Sequence, residues 1–383
     1  MARVVVSLVV AETFFQQPMT VGGRTFPNRV LLAPLAGVSD VPFRRIAQEL
    51  GAGLTFVEML SAVGIQHGNK RTLDMCRRHP DEPVLGVQVT GPSAALVEEA
   101  VRFMEALPFD MLDINMGCAV RKVIGSGSGS AILSDPERIS ATVAGARAAT
   151  DRPLAVKTRL GATRRHLTIE DTARRVVDAG ADMFTIHGRA RNEKYGQPAD
   201  LAGIARGVAA ARAAAANRPV IIVGNGDIFD ADDATRMQAE TACDAVMVSR
   251  GALGNPWVFR SILEQRNAHP TLEEWADVVL RHLDYQIYHY GDTRIAAITA
   301  RKHLLWYIKG FPHHKPLGEV LGHCDRIADA REAIQGYLRQ WPADLQRFSG
   351  AQQTDPRFAA NSKYDPKFDM NRIHDRAVGN DEV

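Results

Sequence analysis

Only four cysteines occur in 383 residues, Cys76, Cys118, Cys243 and Cys324, and no two stand in a CxxC pair. That excludes a metal framework of the zinc-ribbon kind and a dense disulfide scaffold. It points to free thiols in a reducing compartment, and no metal is expected. Charge imbalance is missing too. The 46 basic residues face 44 acidic ones, for a formal net charge of +2. Any case for nucleic acid must then come from local clusters. Long apolar runs are also absent: none approaches the roughly 20 residues that span a bilayer as a helix. The opening "MARVVVSLVVAETFF" is only briefly apolar and lacks a clear small-residue cleavage site. It reads as a first strand or arm rather than a signal peptide. A cytoplasmic protein without a membrane or an obligate protein partner is expected.

What is present is ordinary globular composition, 45% hydrophobic and 23% charged, in a chain long enough for one large domain and a smaller one. Eight short apolar runs recur: "RVLLAPLAG", "GLTFVEML", "PVLGVQVTG", "DMLDINMG", "PLAVKTRLG", "DMFTIHGR", "PVIIVGNGD" and "DAVMVSRG". Each reads as a strand buried on both faces, as in a parallel sheet. Amphipathic segments separate them. In Ser93–Leu107 the apolar stripe is Leu96, Val97, Ala100, Val101 and Met104, with Ser93 as N-cap. Thr168–Ala181 closes on Gly180. Eight such units over residues 1–260 predict a (β/α)8 barrel, with a doubly wound sheet as the alternative.

The strand ends favour the barrel. Nearly every strand stops at a residue able to do chemistry: Pro34, Glu58, Gln88, Asn115 with Cys118, Lys157, His187, Asn225 with Asp227, and Arg250. A barrel gathers all eight carboxyl ends on one face, and active sites sit there. Beyond the barrel the strand pattern stops. Residues 261–348 read as helix after helix, with turns at "YGD" and "KGFPHHKP", hence a smaller all-helical domain. Residues 349–383 are polar and weakly periodic, and a mobile tail is expected.

"VGNGDI" and "VSRGALGNP" follow the last two strands. Loops there often hold phosphate, and Arg250 adds a charge-assisted donor; glycines that merely permit tight turns are the plainer account. Lys157 sits in a strand otherwise buried, where an ammonium needs a negative partner or must snorkel to the rim. His187 and Gln88 are either ligand contacts or buried polar groups satisfied by the protein. Cys118 is open between a small buried hydrophobe, a nucleophile and a proton donor. The run "GSGSGS" after it reads as a pliable loop, which argues against burial of the thiol.

"APLAGVSDVPFR", "DINMGC", "GSGSA", "VKTRLG", "TIHGRAR", "NGDI" and "SRGALGNPWVFR" resemble, in order and spacing, the tRNA-dihydrouridine synthases. "ARKHLLWYIKG" looks like the C-terminal domain of their bacterial B-type branch. The resemblance covers about Val21 to Ala330. It implies an FMN-binding barrel followed by a helical RNA-binding domain, with NADPH as reductant and tRNA as substrate. Pro34, Leu35, Ala36, Gln88, Lys157 and His187 would hold the flavin ring and ribityl chain. Asn225, Gly226, Asp227, Ser249 and Arg250 would take its ribityl–phosphate end. Lys157 would stabilise the reduced ring, and Cys118 would protonate C5 of a uracil that receives hydride at C6. Asn115 would touch the uracil edge. Arg189, Arg301 and Lys302 would contact RNA.

Three windows contain no acid, Ile114–Ser134, Arg152–Ile169 and Thr293–Gly318, which predicts positive charge around the mouth. The sequence departs from the family pattern at Ala119, where proline is usual, in the glycine-rich run that follows, and at Ser249, where glycine is common. A looser hinge under the thiol is the expectation. Two other functions stay open: a small-molecule FMN oxidoreductase of the dihydropyrimidine or dihydroorotate type, and a flavin-bearing RNA-binding protein without activity.

Overall fold

All eight expected strands form, and their ends meet. The computed structural model describes residues 12–346, apart from Ala268, Pro312 and His313. The expected N-terminal arm falls largely, and the C-terminal tail wholly, outside these residues.

The barrel strands are Val30–Leu32, Thr55–Phe56, Leu85–Thr90, Met111–Met116, Leu154–Arg159, Met183–His187, Ile221–Asn225 and Ala245–Val248. Each is parallel to its neighbours in chain order, and the eighth pairs with the first. Between the first and second, Leu32 N–H donates to the Leu54 carbonyl at 2.9 Å and Gly53 N–H to that of Val30 at 2.8 Å. The sheet therefore closes, which excludes the doubly wound alternative. Side chains alternate between the barrel interior and the helix layer, so both faces are buried and the strands read as apolar runs.

The helices start where the sequence says. Ser93 accepts from Leu96 N–H at 3.3 Å to cap Ala94–Glu105. Ile169–Asp178 ends before Gly180, whose N–H returns to the Val177 carbonyl. An antiparallel hairpin, Met19–Val21 with Arg24–Phe26, lies across the N-terminal ends of the fifth and sixth strands, where Gly22 sits against Pro153 and Asp182.

After the barrel come Leu272–Tyr290, Arg294–Tyr307, His314–Leu321 and Ile327–Leu338. Thr271 and Glu274 form a capping box at the first. These helices share one apolar cluster built on Trp275, Leu283, Leu304, Tyr307, Phe311, Leu321 and Ile334. Ile46 and Trp257 join it from the barrel side. Burial of each such side chain contributes about 1.5–3 kcal/mol, so the seam between barrel and helices is part of a core. No helix among the described residues is long and apolar enough to cross a membrane.

Candidate active site

Register assembles the site. Gln88 pairs with Asp113, Asn115 with Lys157, Lys157 with Thr185, and His187 with Asn225. Paired residues in a parallel sheet face the same side. The strand ends thus place these polar side chains in one layer at the carboxyl end of the barrel.

One chain of hydrogen bonds runs over the third and fourth strands. Gln88 Nε2 donates to Asp113 Oδ2 at 2.6 Å, and Asn115 Nδ2 donates to Gln88 Oε1 at 2.7 Å. Asn115 Oδ1 accepts the N–H groups of Gly117 (3.0 Å) and Cys118 (2.8 Å). Gln88 thus fixes Asn115, and Asn115 fixes the thiol. Asp113 Oδ1 has no partner among the described residues. Burial pushes that carboxyl up to about 7, against the pull of Gln88 and Lys157.

A second chain crosses the other half. Lys157 Nζ donates to Asn225 Oδ1 at 3.0 Å, and Asn225 Nδ2 donates to the Met247 carbonyl and to Ser249 Oγ. Burial first, then the Arg159 guanidinium, pulls Lys157 down to about 8. His187 is pushed well below the usual histidine value by burial and four nearby cations, so its imidazole is neutral. Its Nε2 lies 3.3 Å from Arg189. Arginine can only donate, so Nε2 accepts and the ring proton sits on Nδ1.

The phosphate expectation meets a third network. Gly226 and Asp227 both have positive φ, so two successive turns expose backbone after the seventh strand. The Asp227 carboxylate takes Arg189 (2.6 Å), Arg250 (2.7 Å) and Ala199 N–H (2.9 Å). An acid would repel phosphate; here it orients two arginines. Arg250 also lies 4.2 Å over the Tyr195 ring. At the first strand, Leu35 turns the chain through Ser39, and Gly37 N–H donates to Glu58 at 2.6 Å.

The thiol loop corrects two expectations. "GSGSGS" is folded: Arg121–Gly125 is a short helix and Gly129–Ser134 a 3-10 turn. Ser130 N–H and Oγ both donate to the Cys118 carbonyl, at 3.0 and 2.7 Å, and Gly129 N–H donates to Thr90 Oγ1. Gly129 has φ +60, and a Cβ there would stand 2.9 Å from the Cys118 carbonyl oxygen. Glycine is used for close approach and serine for its hydroxyl, so the run holds the cysteine instead of loosening it. Ala119 removes a proline's constraint, but Ser130 supplies a tether. Cys118 is half-buried, and burial raises its pKa. The thiol keeps its proton at neutral pH.

Other expectations shift. Arg189 is 1% exposed and tied to Asp227 and the Gln197 carbonyl, which leaves it no face for RNA. Arg301 and Lys302 lie on Arg294–Tyr307 in the helical region, and Lys302 is near enough to Glu58, at the end of the second strand, to pull against the burial that raises its pKa. Arg301 pairs with Asp325 and the carbonyls of His323 and Cys324. Arg152 sits before the fifth strand and grips Glu105 and the carbonyls of Leu107 and Phe109. Arg164 meets Glu193. Some basic residues of the acid-free windows thus find acids in space.

Arg159 and Asp113 were missed as site residues. Both sit two positions from a residue that was named, Lys157 and Asn115, and period-2 alternation would have found them. Arg159 Nε donates to the Gly117 carbonyl at 2.8 Å and a second nitrogen to that of Ala190. Tyr195 stacks near His187 from a loop with no signal in the sequence.

The protein family described as Dihydrouridine synthase (Dus) matches residues 31–340. A probable tRNA-dihydrouridine synthase of Rhizobium leguminosarum bv. phaseoli is 36% identical over 74% of this chain and 86% of its own. tRNA-dihydrouridine synthase B of Pseudomonas aeruginosa is 34% identical over 85% and 96%. That of Pasteurella multocida is 33% identical over 84% and 96%. Among solved structures, 6-hydroxypseudooxynicotine amine oxidase from Pseudomonas geniculata shares the fold at a TM-score of 0.51 and 13% identity, over 70% of this chain and 52% of that one.

Proposed function

The chain belongs to the dihydrouridine synthase family and reduces uridine in tRNA, and from that premise we propose that the barrel mouth does so with FMN, recharged by NADPH, and with Cys118 as the acid. The donor set fits a flavin. Lys157 is half-buried, donates to Asn225 and forms no ion pair with a carboxylate among the described residues. Asp113 Oδ1 and Thr185 Oγ1 are buried polar atoms without partners. Orphans of this kind are costly unless a ligand takes them.

Pro34, Leu35, Ala36, Gln88, Lys157 and His187 would hold the ring and ribityl chain. Gly226, Ser249 and Arg250 would hold the phosphate end, with Asp227 and Asn225 setting Arg250 and Ser249 in place. Reduced FMN, when bound, supplies hydride to C6 of the uracil.

The remaining steps belong to side chains. Lys157 stabilises negative charge at the ring edge in a site of low dielectric. Neutral His187 offers Nδ1–H as a donor. Asn115 holds the uracil edge while Gln88 keeps its amide from flipping. Charge develops at C5 and O4, and Cys118 delivers its proton to C5. The thiol suits this because burial keeps it protonated, and because Asn115 and Ser130 fix its backbone on both sides. The base must leave its stack to enter. The compartment that goes with this reading is the cytoplasm, where such a tRNA would be met.

The observation that carries this reading is a half-buried thiol just beyond the fourth strand beside a lysine on the fifth whose Nζ meets Asn225 but no carboxylate among the described residues. The test is direct. The purified protein should show a flavin spectrum and form dihydrouridine in unmodified tRNA but not from free uracil. Turnover of free uracil with no action on tRNA would move the protein to the small-molecule oxidoreductases. Flavin without turnover of either would leave an RNA-binding flavoprotein.

A further inference from the structure

A cluster at the seam between barrel and helices plays no part in that chemistry. Asp40 caps Val41–Glu49, the first barrel helix; His282 lies on Leu272–Tyr290 and His303 on Arg294–Tyr307. All three are buried, and each offers a ligand atom within 4.8 Å of the other two.

His303 is the member that asks for a ligand. It is 2% exposed, and neither Nδ1 nor Nε2 has a hydrogen-bond partner among the described residues. The Phe43 ring lies 5.0 Å away on one side, Trp306 5.3 Å and His282 4.8 Å. A buried imidazole with both nitrogens unpaired is a standing penalty.

His282 is oriented from behind. Thr299 Oγ1 donates to Gln286 Oε1 at 3.1 Å, so the Gln286 amide turns its NH2 to His282 Nε2, at a long 3.4 Å. That leaves the proton on Nδ1, which faces the Tyr307 hydroxyl at 3.0 Å. The Nδ1–H bond to Tyr307 then supports the ring from behind, as is usual for a ligating histidine, and Nε2 is the ligand atom once a cation displaces the long Gln286 contact. Asp40 Oδ1 accepts Phe43 N–H and Oδ2 accepts the Tyr290 hydroxyl; each oxygen retains a lone pair.

We infer that Asp40, His282 and His303 bind a zinc-like divalent cation that fastens the barrel to the helical region. Two imidazoles and one carboxylate form a donor set for that class of metal, with water or a neighbour as fourth ligand. Bonds near 2.1 Å put tetrahedral ligands about 3.4 Å apart, so the side chains close by roughly an ångström. Lys302, next in sequence to His303, is the opposing charge, and Glu58 acts on it.

The full-length protein is stripped with a chelator, reloaded with zinc and dialysed, then assayed for metal content, thermal midpoint and the absorption of a cobalt-substituted form. One zinc per chain, a raised midpoint and a cobalt ligand-field band are expected. His303→Gln and Asp40→Asn should each weaken zinc at least tenfold and abolish the band, with the flavin spectrum unchanged; asparagine keeps the helix cap. The wild-type titration stands even if a variant fails to fold. Equal zinc in wild type and variants means adventitious surface binding and overturns the proposal, as does a bridging water found on His303 in zinc-loaded crystals.

Discussion

The barrel mouth and the seam both bury ionisable groups, and they satisfy them differently. At the mouth nearly every polar atom is held by a residue on an adjacent strand or its loop: Gln88 with Asp113, Asn115 with Gln88, Asn225 with Ser249. At the seam the partners come from sequence positions far apart, as in Tyr290 with Asp40 and Arg281 with Glu49. The first arrangement follows from strand register and is rigid. The second depends on how two cores dock. Substitutions of the polar side chains at the mouth should therefore change chemistry and leave stability nearly alone, whereas a change in the backbone turn beneath them should touch both. Substitutions at the seam should do the reverse.

The largest effect should come from Cys118→Ala. Loss of a positioned acid lowers turnover about 10²–10⁴-fold, and the flavin spectrum should persist. Single-turnover formation of dihydrouridine measures it; full turnover would end the acid assignment and with it the mouth's claim to be chemical.

Lys157→Met comes next. Removal of one buried electrostatic contact should cost about 10²-fold in rate. It also carries a pH signature. Lys157 is held near 8 by burial and Arg159, so its charge is present below that pH and is lost as pH rises through it. Affinity of the flavin-free protein for FMN should fall above pH 8, by up to about tenfold per unit. The Cys118 thiol lies above its ordinary range and does not set this limb. Fluorescence titration should show the limb in the wild type and none in Lys157→Met.

The same contrast explains what could be read from the sequence. The barrel strands were legible because burial on both faces leaves an apolar run, and their ends named Gln88, Asn115, Cys118, Lys157, His187 and Arg250. The helices of the second region were legible by their pattern. Their contacts were not, since Asp40, His282 and His303 share no spacing a motif could show. Charge was legible only in part for the same reason. Arg152 and Arg164 stand in an acid-free window yet pair with Glu105 and Glu193, contributed by elements distant in sequence. "GSGSGS" misled because composition cannot tell a spacer from a close-packed turn. Only geometry shows Gly129 against the Cys118 carbonyl.

Gly129→Ala tests that last point with a smaller effect. A left-handed backbone costs alanine about 1–2 kcal/mol, and the methyl would press on the Cys118 carbonyl. Chemical denaturation should show the loss, and turnover should drop about tenfold as the thiol shifts. An unchanged rate would mean that the serine–glycine turn does not hold the acid.

Tyr290→Phe should do least. It removes one hydrogen bond across the seam, from the hydroxyl to Asp40 Oδ2 at 3.1 Å, and leaves the ring in place. Such a bond is worth about 0.5–1.5 kcal/mol. Asp40 keeps its contact with Phe43 N–H, so the helix stays capped. Stability in denaturant should fall by that amount while the rate constant for the bound uridine stays within twofold of the wild type. A rate loss larger than the stability loss would mean that the seam sets the geometry of the mouth, and the division between the two regions would fail.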